Sequence, residues 1–413
     1  MRRCNRMLSA LAVVVALCAS GCVVQGHPAG AYPDPKSLDA GAYGVQPLAA
    51  PADGNEGYGG ILESARLAEA LIDPVEADPA LKFPIAADGV MLLSTPAKAS
   101  MLLAQPARAV LAREGLLAGC AVGGSDTDNP DYTPTVGRAR LLSVVILRFP
   151  DAAAAQRAAQ EIDSVDAAVN PQNVSVPIPQ YAAAHAHWRP SVPTLAATIS
   201  DGVYVVSVLT GHTSTDSTAL TGLAQKAFDA QLRRLRDFAP TPADRISALP
   251  LDQQGMLARM VPAAPRRWPY PAIVTDMPVG VAEWNAVARS EGVVFGPRAA
   301  YLWNLRGKNQ PIDLEAVNGM TQLERFTTAA AARQRYTEMT QKIMADSAFH
   351  VAGAPSGIAD AMCGDHTDRA AGTDAKYDCR VVYGRYIAMM LGQNPKVLAQ
   401  RAAAEYGLLI TMG

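Results

Sequence analysis

Residues 140–155 read Arg-Leu-Leu-Ser-Val-Val-Ile-Leu-Arg-Phe-Pro-Asp-Ala-Ala-Ala-Ala, and this stretch decides the fold because the chain uses its plan twice. The β-branched apolar run up to Phe149 predicts a strand buried on both faces. Pro150-Asp151 then opens an Ala-rich helix to about Asp163, with Asp151 as N-cap because its carboxylate can accept the free amides of the first turn. At a spacing of 177, Leu147-Arg148-Phe149 falls on Glu324-Arg325-Phe326 and Ala152 to Ala155 fall on Ala329 to Ala332, with Thr328 at the second cap position.

The match extends in both directions. Upstream, Arg113 to Gly119 aligns with Ser290 to Gly296 at the same spacing. Downstream the offset drifts to 182, where Gly202-Val203-Tyr204 meets Gly384-Arg385-Tyr386, and then to 175, where Leu223-Ala224-Gln225-Lys226-Ala227 meets Leu398-Ala399-Gln400-Arg401-Ala402. Matches that keep their order over such a distance indicate two domain-sized copies of one unit, since the period is too long for a solenoid.

Within each copy, a strand, a helix, a hairpin and a closing helix are expected. Asp201-Gly202 is a two-residue hairpin signal between runs at 193–200 and 203–210. A helix spans Ser217 to about Arg236, with Leu220, Leu223, Ala227 and Ala230 along one stripe. The second copy repeats the plan with a helix to about Met344, strands near Ala361 and from Arg380 to Leu391, and a last helix from Pro395. Shorter helices ended by Gly115 and Gly292 are expected at Pro106–Glu114 and Gly280–Ser290. The fold class is therefore α+β, as two tandem homologous units, each an antiparallel sheet with helices packed on one face.

The amino terminus carries a different kind of information. Arg2, Arg3 and Arg6 precede an apolar stretch from Leu8 to Ala19, and small residues lead to Cys22, which is the layout of a secretory signal. Ala19-Ser20-Gly21-Cys22 resembles a bacterial lipobox, although Ala19 stands where leucine is usual. That resemblance implies cleavage before Cys22 and fatty acylation at its thiol. The apolar stretch is too short for a membrane-spanning helix, whereas two or more acyl chains anchor firmly. The domain reading is a signal peptide at 1–21, a flexible Gly/Pro/Ala-rich tether at 22–57, a first repeat at 58–239 and a second at 240–413. The glycines at 54, 57, 59 and 60 follow no strand and are assigned to the tether, not to a nucleotide loop.

Loss of Arg2, Arg3 and Arg6 reduces 36 basic residues to 33 against 38 acidic, a formal charge of −5 for the mature chain. That balance gives no electrostatic footprint for nucleic acid. Of the cysteines that remain beyond Cys22, Cys363 and Cys379 lie on two expected hairpin strands and are assigned as a disulfide in an oxidising envelope. Cys120 reads as a small buried hydrophobe.

His185-Ala-His187-Trp188-Arg189 is the one local cluster that points to ligand binding. Alternation on a strand puts both imidazoles on one face, as half of a metal site or a pH-sensitive pair. No neighbouring acid, Cys or His completes a coordination shell, so no metal is assigned. The chain has no Gly-x-Ser-x-Gly elbow, His-Glu-x-x-His, phosphate loop or Cys-x-x-Cys, and no cofactor or catalytic residue is assigned.

The chain resembles an uncharacterised actinobacterial envelope lipoprotein family of the mycobacterial and nocardial type. The resemblance rests on the lipobox, Asp34-Pro35-x-x-Leu38-Asp39-x-Gly41-x-Tyr43, the stretch Trp188-Arg189-Pro190-Ser191-Val192-Pro193-Thr194 and the two Arg-Phe units. The units also look loosely like extracytoplasmic sensor domains of actinobacterial kinases, which implies binding over catalysis. The function expected is a non-catalytic protein anchored by lipid on the extracytoplasmic face of the cell membrane, with a small or lipidic ligand between its repeats. The alternatives are a scaffold for another envelope protein and a hydrolase built on His185, His187, His212 or His350.

Overall fold

The computed structural model describes residues 33–85, 89–128, 134–276, 287–304, 311–369 and 376–413. Cys22 and Trp284 lie outside them, as do the signal peptide and the first part of the expected tether.

The first sheet has eight strands: β1 (Phe83–Pro84), β2 (Val90–Leu92), β3 (Ala118–Ser125), β4 (Leu141–Arg148), β5 (Val174–Ser175), β6 (His185–Trp188), β7 (Thr194–Asp201) and β8 (Tyr204–Gly211). Their order is β1-β3-β4-β8-β7-β6-β5, with β2 also paired to β3. A two-stranded ribbon follows, β9 (Ala272–Asp276) with β10 (Val287–Glu291). The second sheet contains β11 (Val293–Phe295), β12 (Ile312–Asn318), β13 (Thr321–Phe326), β14 (Phe349–Val351), β15 (Ala361–His366), β16 (Tyr377–Tyr383) and β17 (Tyr386–Gly392), in the order β11-β12-β13-β17-β16-β15-β14. All these pairings are antiparallel. The path β3-β4-β8-β7-β6-β5 and the path β12-β13-β17-β16-β15-β14 are the same connectivity used twice, so the α+β class with two tandem units is present.

Among the described residues, the α-helices longer than about one turn are α1 (Glu56–Leu67), α2 (Ala107–Arg113), α3 (Ala152–Ala167), α4 (Ser217–Arg236), α5 (Pro297–Trp303), α6 (Ala329–Met344) and α7 (Pro395–Met412). The cap chemistry is where the sequence puts it. Asp151 accepts from the Ala154 amide at 2.8 Å and Thr328 from the Ala331 amide at 3.1 Å, so equivalent helices start by equivalent means. Gly202 and Gly384 turn their hairpins at φ 55° and 53°, a conformation that glycine adopts without steric cost.

The long helices of each repeat do not all pack on one face of its sheet, as the sequence reading expects, but divide between its two faces. In the first repeat Asp163 of α3 meets His187, whereas the Thr210 hydroxyl on the other face donates to the Leu220 carbonyl of α4. In the second, Cys379, Ala388 and Met390 share a core with Leu398 and Ala402 of α7. Val382 and Ile387, which point the opposite way, share one with Ala332 of α6.

The amino-terminal parts of the copies differ. The expected helix at Gly280–Ser290 is not present over its described part, because Val287–Glu291 forms β10 and satisfies its backbone on β9. The equivalence of Arg113–Gly119 with Ser290–Gly296 also fails. The first stretch ends in β3, which occupies the place of β12, whereas the second ends in β11, one strand further out. From residue 35 onward the expected tether is docked. Leu38, Ala40, Tyr43 and Leu48 pack against the core of the second sheet, and Asp39 accepts from Gln400 Nε2 at 3.1 Å. The aromatic and aliphatic positions of that segment find apolar partners on α7, which its Gly/Pro/Ala composition conceals.

Candidate functional site

Helix α1 begins at Glu56, where the Asn55 side chain accepts from the Tyr58 amide, and runs along the seam between the two sheets. Gly59 and Gly60 belong to this helix and not to a tether. A Cβ on Gly59 would stand 2.2 Å from the Ile246 carbonyl oxygen and one on Gly60 would stand 3.0 Å from that of Leu117. Two small residues thus let the inter-repeat linker and the start of the first sheet approach the helix backbone.

Glu63 and Arg66 of α1 are engaged at the seam. Glu63 is fully buried and accepts from Arg148 at the end of β4, from Arg66 at 2.7 Å and from the Thr241 hydroxyl at 2.6 Å. The second guanidinium nitrogen of Arg148 donates to the Thr241 carbonyl. Just beyond α1, Glu69 accepts from the Arg298 and Ala299 amides at 3.1 and 2.8 Å and so caps α5 of the second repeat. Burial raises the Glu69 carboxyl above its ordinary range, although the two amides and the Arg298 charge pull it down. Across the same seam Tyr301 donates to Asp73 at 3.0 Å and Lys98 to the Ile273 carbonyl at 2.7 Å.

Between these contacts lies a cleft of about 320 Å³. Leu62, Ala65 and Arg66 of α1 form one wall, Phe238 and Leu249 of the linker another, and Val294 of β11 a third. The volume is at the lower end of those that hold small molecules. The lining is largely apolar, and the Arg66 guanidinium lies 5.7 Å from the Phe238 ring centre. A more open trough lined by Ala50, Pro51, Ala52 and Gly54 adjoins the linker residues Leu249, Pro250 and Leu251.

None of His185, His187, Trp188 and Arg189 lines this cleft. They sit on or just after β6, toward the opposite edge of the first sheet. His187 is buried there, with Nδ1 2.8 Å from Asp163 Oδ1 and Nε2 3.8 Å from Asp166 Oδ2, both on α3. Burial lowers the His187 pKa, but the Asp163 hydrogen bond and the two acidic charges outweigh it and the net shift is upward. The acids that local sequence does not supply therefore come from the overlying helix. They make His187 a tie between α3 and β6, and no group of three or more potential metal ligands occurs among the described residues. Trp188 is half-buried against the first core, and Arg189 is half-buried with its Nε unpartnered. His212 pairs with Ser214 at 3.0 Å, and His350 stands exposed on β14 in the other repeat, so these imidazoles do not converge on the β6 pair.

Cys363 and Cys379 face each other in the β15–β16 ladder with Cα atoms 4.1 Å apart, and their sulfurs are bonded. Cys120 is buried and free, and burial raises its thiol well above its ordinary range. The cleft residues carry no local motif. The one signal in the sequence is position, since Phe238 and Leu249 flank the seam between the copies.

Family models match nearly all of the described chain. The N-terminal domain of unknown function DUF7373 covers residues 50–251 and the C-terminal one covers residues 256–411. The chain belongs to the DUF7373 family. Its boundary between the two matched domains falls in the linker that Thr241 and Gln254 anchor. The extracellular domain of PknH from Mycobacterium tuberculosis is similar over 46% of this DUF7373 chain and 100% of its own, with 14% identity and a TM-score of 0.27. No curated protein matches. Among the described residues no helix is long and apolar enough to cross a membrane.

Proposed function

We propose that this protein is a non-catalytic, lipid-anchored protein of the cell envelope that holds an apolar or lipidic ligand between its repeats. The observation that carries the reading is the state of the cleft's charges. Arg66 is engaged by Glu63 and Thr241, and Glu69 is engaged by the amides that begin α5, so the lining has mainly apolar surface left to offer. Such a site favours a ligand that gains from leaving water over one that must be recognised by charge.

Anchoring at Cys22 fits this reading. Twelve residues, 23–34, separate it from the docked segment at Pro35, a reach of at most roughly 40 Å. Full-length protein purified in mild detergent, extracted with organic solvent and examined by mass spectrometry should release a bound apolar molecule. Leu62→Trp, which fills the cleft, should abolish that release while leaving the fold intact. An empty extract from both proteins rejects the reading. Cys22→Ala should leave a folded protein that no longer carries fatty acyl mass.

A scaffold function has its own support. Val174 on edge strand β5 and Val351 on edge strand β14 are 45% and 53% exposed, 177 positions apart. Each repeat thus presents an apolar side chain on an outer strand to which a partner strand could add. Loss of a cross-linked envelope partner on Val174→Lys with Val351→Lys, with ligand content unchanged, would favour it.

A further inference from the structure

The second repeat departs from the first beneath its helix layer. Glu315 on β12 stands directly opposite Glu324 on β13, and both side chains are fully buried. Glu324 occupies the position of Leu147 in the first repeat. Carboxylates that face each other across a ladder repel, and burial denies them water. One of the four oxygens has a hydrogen-bond partner, since Glu315 Oε2 accepts from Asn304 Nδ2 of the α5 C-cap at 2.9 Å; the other three have none.

The surroundings compensate only in part. Phe295 lies opposite Glu315 on β11 and Ile387 opposite Glu324 on β17, both apolar. Arg335 of α6 and Arg380 of β16 direct positive charge toward Glu324, but Arg380 is already bonded to Asp378 at 2.8 Å and to the Met339 carbonyl at 3.2 Å. Tyr336 and Thr340 are the half-buried polar side chains that α6 adds. The cover itself is thin. Helix α6 buries Ala332, Met339 and Ile343, whereas α3 buries Ala154, Ala155, Ala158, Ala159 and Ile162 over its own sheet.

We propose that α6 is a proton-gated cover, which lies on the second sheet while the facing Glu315 and Glu324 hold protons and opens locally when the pair ionises. Burial and the opposing Glu324 push Glu315 well above the ordinary carboxylate range. Burial pushes Glu324 up to about 7, against the pull of Arg335 and Arg380. With α6 raised, Glu324 is hydrated and returns toward its ordinary value of 4.5. Between those values the closed form holds more protons than the open one, so a rise in pH favours opening, by up to on the order of 10²-fold for Glu324 alone.

Hydrogen exchange on the full-length protein in detergent at about pH 5 and about pH 8, corrected for intrinsic exchange, tests this. Protection of α6 amides near Met339–Met344 should fall toward 10²-fold relative to those of α4, and Glu324→Gln, which mimics the protonated acid, should remove most of that fall. The proposal is overturned if α6 protection is the same at both pH values, if Glu324→Gln loses it as the wild type does, or if α4 falls in step. Should Glu324→Gln fail to fold, Glu324→Leu restores the first repeat's residue. The infrared carbonyl stretch of a buried carboxylic acid gives an independent readout: the part of the band that Glu324→Gln removes should be present near pH 6 and lost near pH 9, apart from any contribution of the buried Glu405, and a Glu324→Gln spectrum identical to wild type near pH 6 overturns the proposal.

Discussion

Arg148 and Arg325, 177 positions apart, close equivalent strands of the two repeats and hold the linker between them at its two ends. Arg148 donates to the Thr241 carbonyl and Arg325 to Gln254 Oε1 at 2.7 Å. Their second partners differ. Arg148 pairs with Glu63, whose side chain is 0% exposed, whereas Arg325 pairs at 2.8 Å with Asp313, which is 30% exposed. Removing one member of a buried pair strands the other without water, whereas a half-exposed acid rehydrates. Arg148→Met should therefore cost about 3–5 kcal/mol and Arg325→Met about 1–2 kcal/mol, read from urea denaturation midpoints. Adding Glu63→Gln to Arg148→Met should recover part of the loss, and equal costs at the two arginines would show that burial does not separate them.

Close approach at the seam makes a second prediction. Ala at Gly59 brings a methyl group within 2.2 Å of the Ile246 carbonyl oxygen, which is backbone and cannot swing away. Gly222, in the middle of α4, has nothing within 4 Å of the same position. Gly59→Ala should destabilise by about 1–3 kcal/mol through overpacking. Gly222→Ala should stabilise by roughly 0.5–1 kcal/mol through helix propensity. Thermal denaturation of the two variants gives opposite shifts if the linker sits on α1.

What the sequence discloses follows from where the information is stored. The strand to Arg148, the helix after Asp151, the glycine hairpins and the helix at Ser217–Arg236 are local, since periodicity, caps and turn residues specify them in place. Residues whose role depends on a distant partner are not legible in the same way. Tyr43 and Leu48 look like linker until α7 is beside them, and His187 has no visible acid until α3 folds over it. Duplication points to a cleft between the copies, but Leu62, Phe238 and Val294 are ordinary apolar residues in the sequence. Glu324 is the exception, because its alignment with Leu147 sets a carboxylate at a core position from the repeat pattern alone.

The His187 tie should be pH-dependent in a definite direction. Its folded pKa lies above the ordinary value of 6.5, so it contributes in full below about 6.5 and its contribution declines as pH rises through the elevated folded value. His187→Gln should lose about 1–3 kcal/mol near pH 5.5, and the gap to wild type should narrow by about pH 8.5 as the imidazole becomes neutral. Denaturant melts at the two pH values check this. A gap that widened with pH would mean that His187 is held as the neutral ring.

The cross-strand cystine of the second repeat makes a prediction that separates covalent from packing stability. Cys363 and Cys379 are 16 positions apart and lie directly opposite in β15 and β16. Both are nearly inaccessible and share their core with α7. Closing a loop of this length removes disorder from the unfolded chain and should stabilise by about 3 kcal/mol. Cys363→Ala with Cys379→Ala should lower the urea midpoint accordingly. Alkylation followed by mass spectrometry should modify none of Cys120, Cys363 and Cys379 in the native protein, Cys120 alone after unfolding, and all three after unfolding with reductant. A double variant as stable as the wild type would mean that the ladder and the α7 core, and not the bond, hold these strands together.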